Sequence, residues 1–521
     1  MDPVTLGMAK ADAAKKIAAV AKRNGTASLN KSANLDARVP QFVKSPNNPL
    51  LTNAAQQPIT GLTSIYFPCC FDSAQCGPIG APNRYLLYFS TDHDANQGGI
   101  ALAHSASPDK DFTVMPGVRY VDVGFQGAAV TGLAASAAND TITHNAHGMV
   151  AGQGIRFTDI AGVTGIVAGT TYYLRDVTTN SYKLSPFRTS GGPVDITADG
   201  TVSVNKVASQ TETPSVVWDE RGVLTAGTAL SAVAATDRIT HVGHSMVEGR
   251  SVRITARSAV NGLELATTYY VRNVTANSYQ LSLIRGGAIV DITADTTVTM
   301  AWYGLINLYY QVDGVGTPPT GNTYKQSTCL AVSPDGVTFT RIGVVLDTCF
   351  GIGIPDNTNP GDKHTGYFKP FRIGDAWAGY SLYGGGDIPN FAIWYSNDGR
   401  IWYPDMRLLT AGTTDVTGVV DRRVEWNSMN VFVYRGKLLA LFATKSATSG
   451  GNAGITENFI AEIAPDFRSF LNVPAATFLE KQTIETEVNE PDCVMVSEGK
   501  LYAYYRINGL TGALCVAVAE G

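Results

Sequence analysis

The chain has 521 residues, 44% of them hydrophobic and 16% charged, enough to bury several cores. A net charge of −5 argues against a surface that tracks nucleic-acid phosphates, and no apolar run approaches the roughly 18 residues of a membrane span. Fifty-three glycines and 23 tyrosines with few helical periodicities predict an all-β protein, and the lack of a signal-type apolar core places its synthesis and folding in a cytosol.

The one clear helix opens the chain. Asp2 can cap it with Pro3 at the first helical position, and Thr5 to Arg23 is rich in Ala and Lys before Asn24-Gly25 stops it. Leu6, Ala9, Ala13, Ile17 and Val20 form a narrow apolar stripe beside a basic face, and a helix of this length is marginal alone. A docking role follows, with the polar stretch Thr26 to Gln57 as an extended arm; packing on its own chain is the plainer alternative.

Strand patterns begin with Ile65-Tyr-Phe-Pro68, Arg84-Tyr-Leu-Leu-Tyr-Phe-Ser90 and Gly99-Ile-Ala-Leu-Ala-His-Ser105. Cys69, Cys70 and Cys76 cluster there without CxxC spacing, and Cys329, Cys349, Cys493 and Cys515 sit singly in apolar runs. Seven cysteines, an odd count, fit buried free thiols better than disulfides or a metal cluster.

Between Ala129 and Trp302 the chain repeats itself. Asp140-Thr-Ile-Thr-His144-Asn-Ala-His147-Gly-Met149 returns as Asp237-Arg-Ile-Thr-His241-Val-Gly-His244-Ser-Met246, an offset of 241 − 144 = 97. Thr171-Tyr-Tyr-Leu-Arg and Asn180-Ser-Tyr-Lys-Leu-Ser185 return as Thr268-Tyr-Tyr-Val-Arg and Asn277-Ser-Tyr-Gln-Leu-Ser282. One small β unit is used twice. The His-x-x-His pairs could suggest a metal, but no Cys lies nearby to complete a zinc site, and local hairpin hydrogen bonding is the stronger reading. These units resemble the short β modules inserted in bacteriophage tail and fibre proteins.

Outside the repeats, strand groups recur. The second holds Glu212-Thr-Pro-Ser-Val-Val-Trp218, Leu305 to Gln311 and Thr328 to Gly336; the third Tyr367-Phe-Lys-Pro-Phe-Arg-Ile373, Ala376 to Tyr383 and Phe391 to Gly399. The fourth holds Val424 to Tyr434 and Lys437 to Ala443, the fifth Glu490-Pro-Asp-Cys-Val-Met-Val496, Lys500 to Arg506 and Leu514 to Ala519. About four short strands per group, repeated around a centre, predict a β-propeller. With the turns Ala331 to Phe339 and Ile393 to Trp402, the chain resembles the five-bladed propellers of glycoside hydrolases such as arabinanases, β-xylosidases and invertase-like enzymes.

That resemblance implies catalytic carboxylates beside the Pro residues of the first three blades. Here those positions hold Phe67, Ser215 and Phe368. None can serve as the carboxyl acid or base of glycoside cleavage. Should the chain be an enzyme, Asp72, Glu212, Glu425 and Glu490 are the carboxylates left. Candidate glycan-binding residues are Asp92, His93, Asp94, Glu212, Lys369, Trp426, Glu490 and Asp492, with Trp377, Trp394, Trp402 and Tyr403 as further aromatic faces, most of them core.

The expected architecture is therefore an all-β chain: a five-bladed β-propeller with two inserted small β domains and an N-terminal helical arm. Its parts are arm 1–57, blade one 58–125, module one 126–207, the start of blade two 208–221, module two 222–301, and the remaining blades 302–521. The expected function is a structural tail, fibre or spike protein of a phage virion that binds a host cell-surface glycan without cleaving it. Alternatives are a propeller glycoside hydrolase degrading surface polysaccharide and a purely architectural tail or capsid decoration. No cofactor, bound metal, nucleic acid or membrane insertion is expected. Partners would be other virion proteins through the arm, in a homo-oligomer (trimer) assembled in the bacterial host cytoplasm.

Overall fold

The computed structural model describes residues 40–520 apart from 41, 61–64, 77–82, 92–98, 116–120, 122–124, 150, 152–153, 169, 187–191, 208–210, 224–228, 243, 245, 247, 285, 314–325, 347–364, 374–375, 384–389, 410–421, 425–428, 447–454, 465–466, 468–474, 478–490 and 508–511. The predicted helix Thr5 to Arg23 lies outside these residues. Within them the chain is almost all β, and no helix is long and apolar enough to cross a membrane.

The first sheet runs Ile65–Asp72, Tyr85–Thr91, Ile100–Ser105, Thr113–Val114. The second comprises Thr211–Val223, the C-terminal half of Thr296–Asp313, Gln326–Ser333 and Thr340–Leu346. The third is Lys369–Ile373, Ala376–Tyr383, Asn390–Ser396, Trp402–Leu409. In the fourth, Arg422–Val424 and Asn430–Tyr434 share the edge of Lys437–Ser446, followed by Ile455–Glu462 and Ala475–Thr477. The last is Pro491–Ser497, Lys500–Ile507 and Ala513–Glu520. The first strand of each sheet touches that of the next, Asn430–Tyr434 doing so for the fourth, and Pro491–Ser497 returns to Ile65–Asp72. Strands that open their sheets at a common centre are what the alternating apolar groups required: each sheet buries both faces against its neighbours.

Tyrosine hydroxyls stitch neighbouring sheets together. Tyr88 of the first sheet donates to the Gly336 carbonyl of the second at 2.7 Å, and Tyr309 of the second to Gly399 of the third at 2.5 Å. Tyr380 of the third donates to Phe467, between the last two strands of the fourth, at 2.7 Å, and Tyr434 of the fourth to Gly499 of the last at 2.8 Å. Tyr504 of the last donates to Pro108 beside the first at 2.7 Å. A Tyr fills the apolar gap with its ring and gives a turn carbonyl a hydrogen bond with its tip. The turns of Gly336 and Gly399 share one build. Ser333 and Ser396 accept from the Gly336 and Gly399 amides at 2.8 and 2.9 Å, while Asp335 and Asp398 each accept two amides beyond. Gly336 and Gly399 have φ of 76° and 70°, where a side chain is strained.

The stretch read as an extended arm needs correction. Val43–Lys44 and Leu51–Thr52 pair with Ala513–Glu520 and supply the outer edge of the last sheet. Phe42 and Leu50 are buried at 4% and 5% exposure, and the Asn48 amide brackets Val516, accepting from its N–H and donating to its carbonyl, both at 2.9 Å. Three apolar side chains inside a polar segment, Phe42, Leu50 and Leu51, outweigh its composition. A short helix, Asn53–Thr60, follows.

Each sequence repeat forms a closed six-stranded ring. The first joins Phe125–Ser136, Thr141–Thr143, Gly154–Ala161, Thr171–Arg175, Ser181–Ser185 and Gly200–Val207. The second uses Ala229–Val233, Arg238–Thr240, Ser251–Arg257, Thr268–Arg272, Ser278–Ser282 and the N-terminal half of Thr296–Asp313. Ladder registers agree between copies, Tyr173 with Ser185 and Tyr270 with Ser282. The shared acid closes a turn: Asp140 accepts the Ile196 amide at 2.9 Å, and Asp237 the Ile292 amide at 2.8 Å. At the joint with the second sheet, Arg250 donates to the Gly304 carbonyl at 2.7 Å and lies 5.7 Å from the Trp218 ring. A Cβ on Gly304 would stand 2.2 Å from Trp218, so glycine is required there.

Candidate functional site

The central strands bend where they converge. Residues Tyr66 to Cys69, Glu212 to Ser215 and Pro491 to Cys493 carry register shifts, and Phe67, Thr213 and Tyr367 have φ of 49°, 54° and 51°. Bulky or β-branched residues rarely adopt this backbone, and such bulges re-aim side chains. Thr213, immediately before Pro214 as Phe67 is before Pro68, is thus the backbone counterpart of Phe67. This corrects the assignment of Ser215, which lies beyond the bulge opposite Tyr309. Likewise Phe368 does not face the centre; it packs in the core 5.4 Å from Tyr309 and 4.8 Å from Trp402, and Tyr367 takes the strained position.

A charged and aromatic cluster surrounds the bulges. Phe67 meets the edge of Tyr367 at 5.9 Å, and the Arg506 guanidinium lies 4.6 Å from the Tyr66 ring and 5.3 Å from that of Phe67. Lys369 donates to the main-chain oxygen of Asp492 at 2.5 Å, and Asn430 to that of Pro491 at 2.5 Å. The Asp492 side chain is buried at 3% exposure, and its Oδ2 has no hydrogen-bond partner among the described residues. Burial raises its pKa to about 7, against the pull of Arg506 and Lys369. Glu212, buried, accepts from Gln311 Nε2 at 2.7 Å. Gln311 in turn lies against Gly366, where a Cβ would stand 1.9 Å from its Oε1.

Of the sequence candidates, Glu212, Lys369 and Asp492 therefore belong to the converging ends of three central strands. Asp72 does not. It lies five residues beyond Phe67, roughly 17 Å along an extended strand. There Arg84 donates from Nε to Oδ1 at 2.8 Å and from Nη2 to Oδ2 at 2.7 Å, Ser497 donates at 2.6 Å and the Ala74 amide at 3.0 Å. A carboxylate so held is a structural anchor. Asp92, His93, Asp94, Glu425, Trp426 and Glu490 lie outside the described residues. Trp377, Trp394, Trp402 and Tyr403 are all buried in the sheets. Arg506, Tyr66 and Tyr367 were missed. Arg506 is the one charge ending the apolar run Leu501-Tyr-Ala-Tyr-Tyr-Arg506, and it reaches the bulges from the second strand of its sheet.

The histidine pairs pack on tyrosine. His144 and His147 stand 5.4 Å apart with Tyr182 at 6.0 and 5.2 Å, and His241 and His244 repeat this around Tyr279 at 6.0 and 5.0 Å. Nδ1 of His147 and of His244 accepts the amide of Met149 and of Met246 at 3.0 and 3.1 Å, the local bonding expected of a hairpin.

No family model matches the chain, and no curated protein matches it. Solved structures do. A thermostable family-43 glycoside hydrolase is similar at TM-score 0.31 and 15% identity, over 42% of this chain and 65% of that one. An α-L-arabinofuranosidase from Lactobacillus brevis gives 0.29 and 15% over 41% and 64%. A β-1,2-mannobiose phosphorylase from Listeria innocua, in complex with β-1,2-mannobiose, gives 0.36 and 9% over 92% and 96%. The chain spans just under two thirds of the length of the first two. None of these three is a phage tail protein, and likenesses this low carry no inference about activity.

Proposed function

We propose that the five sheets are blades of a five-bladed β-propeller, with the two repeats as barrel modules before and within blade two, and that its axial mouth binds a saccharide. The observation that carries this reading is the buried Asp492 carboxyl with an unpartnered Oδ2, set beside Lys369 and Arg506 and next to Tyr66, Phe67 and Tyr367. Convergent polar groups beside aromatic rings match what a sugar offers, hydroxyls around an apolar face. Phe67 and Thr213 at the bulges and Tyr367 at its positive φ supply no carboxyl, so retention without cleavage is the main reading. A virion setting rests on the resemblance of the repeats alone, and attachment through the arm on the apolar stripe of the helix expected over Thr5 to Arg23.

A second reading, glycoside hydrolysis, is favoured by the same Asp492: a carboxyl still protonated near neutrality is suited to general acid work, with Glu212 as a second carboxyl. One experiment separates the readings. Immobilised bacterial surface polysaccharides are incubated with the purified chain, and retention and released reducing ends are followed together. Retention lost in Asp492→Asn and Arg506→Ala without reducing ends supports binding; time-dependent reducing ends abolished by Asp492→Asn install the hydrolase; neither signal on any polysaccharide defeats both.

A further inference from the structure

Six described cysteines are buried, and two of them meet across the seam between the first and last sheets. Cys69 Sγ and Cys493 Sγ are 3.4 Å apart, although 424 residues separate them in the chain. Each lies just past the bulge of its own central strand, opposite Tyr88 and Tyr504 respectively. These two tyrosines are the ones whose hydroxyls leave the first and last sheets for their neighbours. The two sulfurs are thus held by strands already locked in register. Closing a disulfide bond of about 2.05 Å asks the pair to approach by roughly 1.4 Å, a side-chain adjustment.

The geometry points to Cys69 and Cys493 as an oxidisable pair whose disulfide covalently closes the ring of sheets. The reaction takes a peroxide. The Cys69 thiolate attacks one peroxide oxygen, the O–O bond breaks, and after proton transfer the products are a Cys69 sulfenic acid and one water. The Cys493 sulfur then attacks the sulfenic sulfur, the S–O bond breaks, and the Cys493 proton leaves with the hydroxide as a second water. Two thiols are oxidised by two electrons and one peroxide is reduced. The order of roles follows the surroundings: the hydrogen bond from Cys493 and the charge of Lys369 push the Cys69 thiol down, against burial, while the same hydrogen bond and burial push Cys493 up. At Cys70 burial outweighs the hydrogen bond with Tyr504 and pushes the thiol well above the ordinary range.

The full chain, reduced and then treated with stoichiometric hydrogen peroxide, tests this. The expected result is the loss of two of the seven thiols in the denatured product, a peptide cross-link that fragmentation assigns to Cys69 and Cys493, and a thermal midpoint about 5 °C above that of the reduced protein, restored by dithiothreitol. Cys493→Ser, left with the Cys69 sulfenic acid and no resolving thiol, should form no cross-link between these positions and show no upward shift. Should that variant fail to fold, the wild-type peptide map decides alone. Seven thiols surviving peroxide, a cross-link involving Cys70 or Cys76, or Cys69 carried to sulfinic acid without a cross-link would each overturn the assignment.

Discussion

Tyr504, in the last sheet, donates its hydroxyl proton to the main-chain oxygen of Pro108 beside the first, at 2.7 Å. It closes a circuit that Tyr88, Tyr309, Tyr380 and Tyr434 carry round the other seams. Replacing Tyr504 or Tyr88 by Phe keeps the ring in place and takes the hydroxyl from its carbonyl acceptor. Tyr504→Phe and Tyr88→Phe should each cost about 1–2 kcal/mol in urea unfolding with an unchanged slope. Two neutral substitutions would show that the hydroxyls are incidental to packing.

Asp72 gives an acid-side expectation. Burial alone would raise its carboxyl, but hydrogen bonds from Arg84, Ser497 and the Ala74 amide hold it below the ordinary range. A depressed carboxylate stabilises the fold fully above its unfolded pKa near 3.9, and that contribution is lost as pH falls through the lower folded value. Asp72→Asn should therefore destabilise by about 2 kcal/mol at pH 7, a figure discounted for the 36% exposure of the Arg84 side chain, and the difference should shrink by pH 3. Saccharide retention should be untouched. A variant that folds normally yet loses retention would return Asp72 to the site.

Asp492 has the opposite sign. Its folded pKa of about 7 lies above the unfolded value, so the folded chain holds its proton longer and stability declines as pH rises between about 4 and 7. Asp492→Asn removes that decline. It should be more stable than wild type by about 4 kcal/mol at pH 8, with little difference at pH 4. Thermal midpoints across that range measure it, and parallel wild-type and variant curves would mean the carboxyl is solvated.

For the histidines, burial lowers the pKa of His144, His241 and His244, with the paired imidazole adding to the effect at His144 and His241. Folding then favours the neutral rings, and this part of the stability is lost as pH falls below the unfolded value near 6.5. Protonation of His244 also removes the acceptor of the Met246 amide. Proton NMR of the imidazole resonances should show these three titrating below 6.5, with amide exchange at Met246 rising at pH 5. Midpoints at or above 6.5 would contradict the packing on Tyr279 and Tyr182.

Much of the fold was legible because strand alternation and the 97-residue repeat are written locally: ladder partners such as Tyr173 with Ser185 and Tyr270 with Ser282 follow from matched sequence. The site was harder to read. Glu212, Lys369 and Asp492 could be found by counting from the prolines of the central strands, but the counting failed by two residues at Ser215 because a bulge at Thr213 cannot be seen in composition. Arg506 reaches the centre from a neighbouring strand, and Phe42 and Leu50 reach the last sheet from a stretch whose polarity spoke for an arm. In each case a contact between distant segments overrode local pattern.

The pairing of Val43 with Val518 has a consequence for how a ribosome can make this protein. Strands of the first four sheets find their partners among residues already synthesised, so they can assemble on the nascent chain. The outer edge of the last sheet cannot: Val43 and Leu51 emerge early and must stay unpaired until Leu514 and Val518 leave the exit tunnel. Throughout translation the N-terminal segment is an open strand in search of a partner, exposed to other nascent copies on the same messenger. Closure of this sheet waits for Ala513–Glu520, and loss of that strand would leave both edges free to pair between molecules.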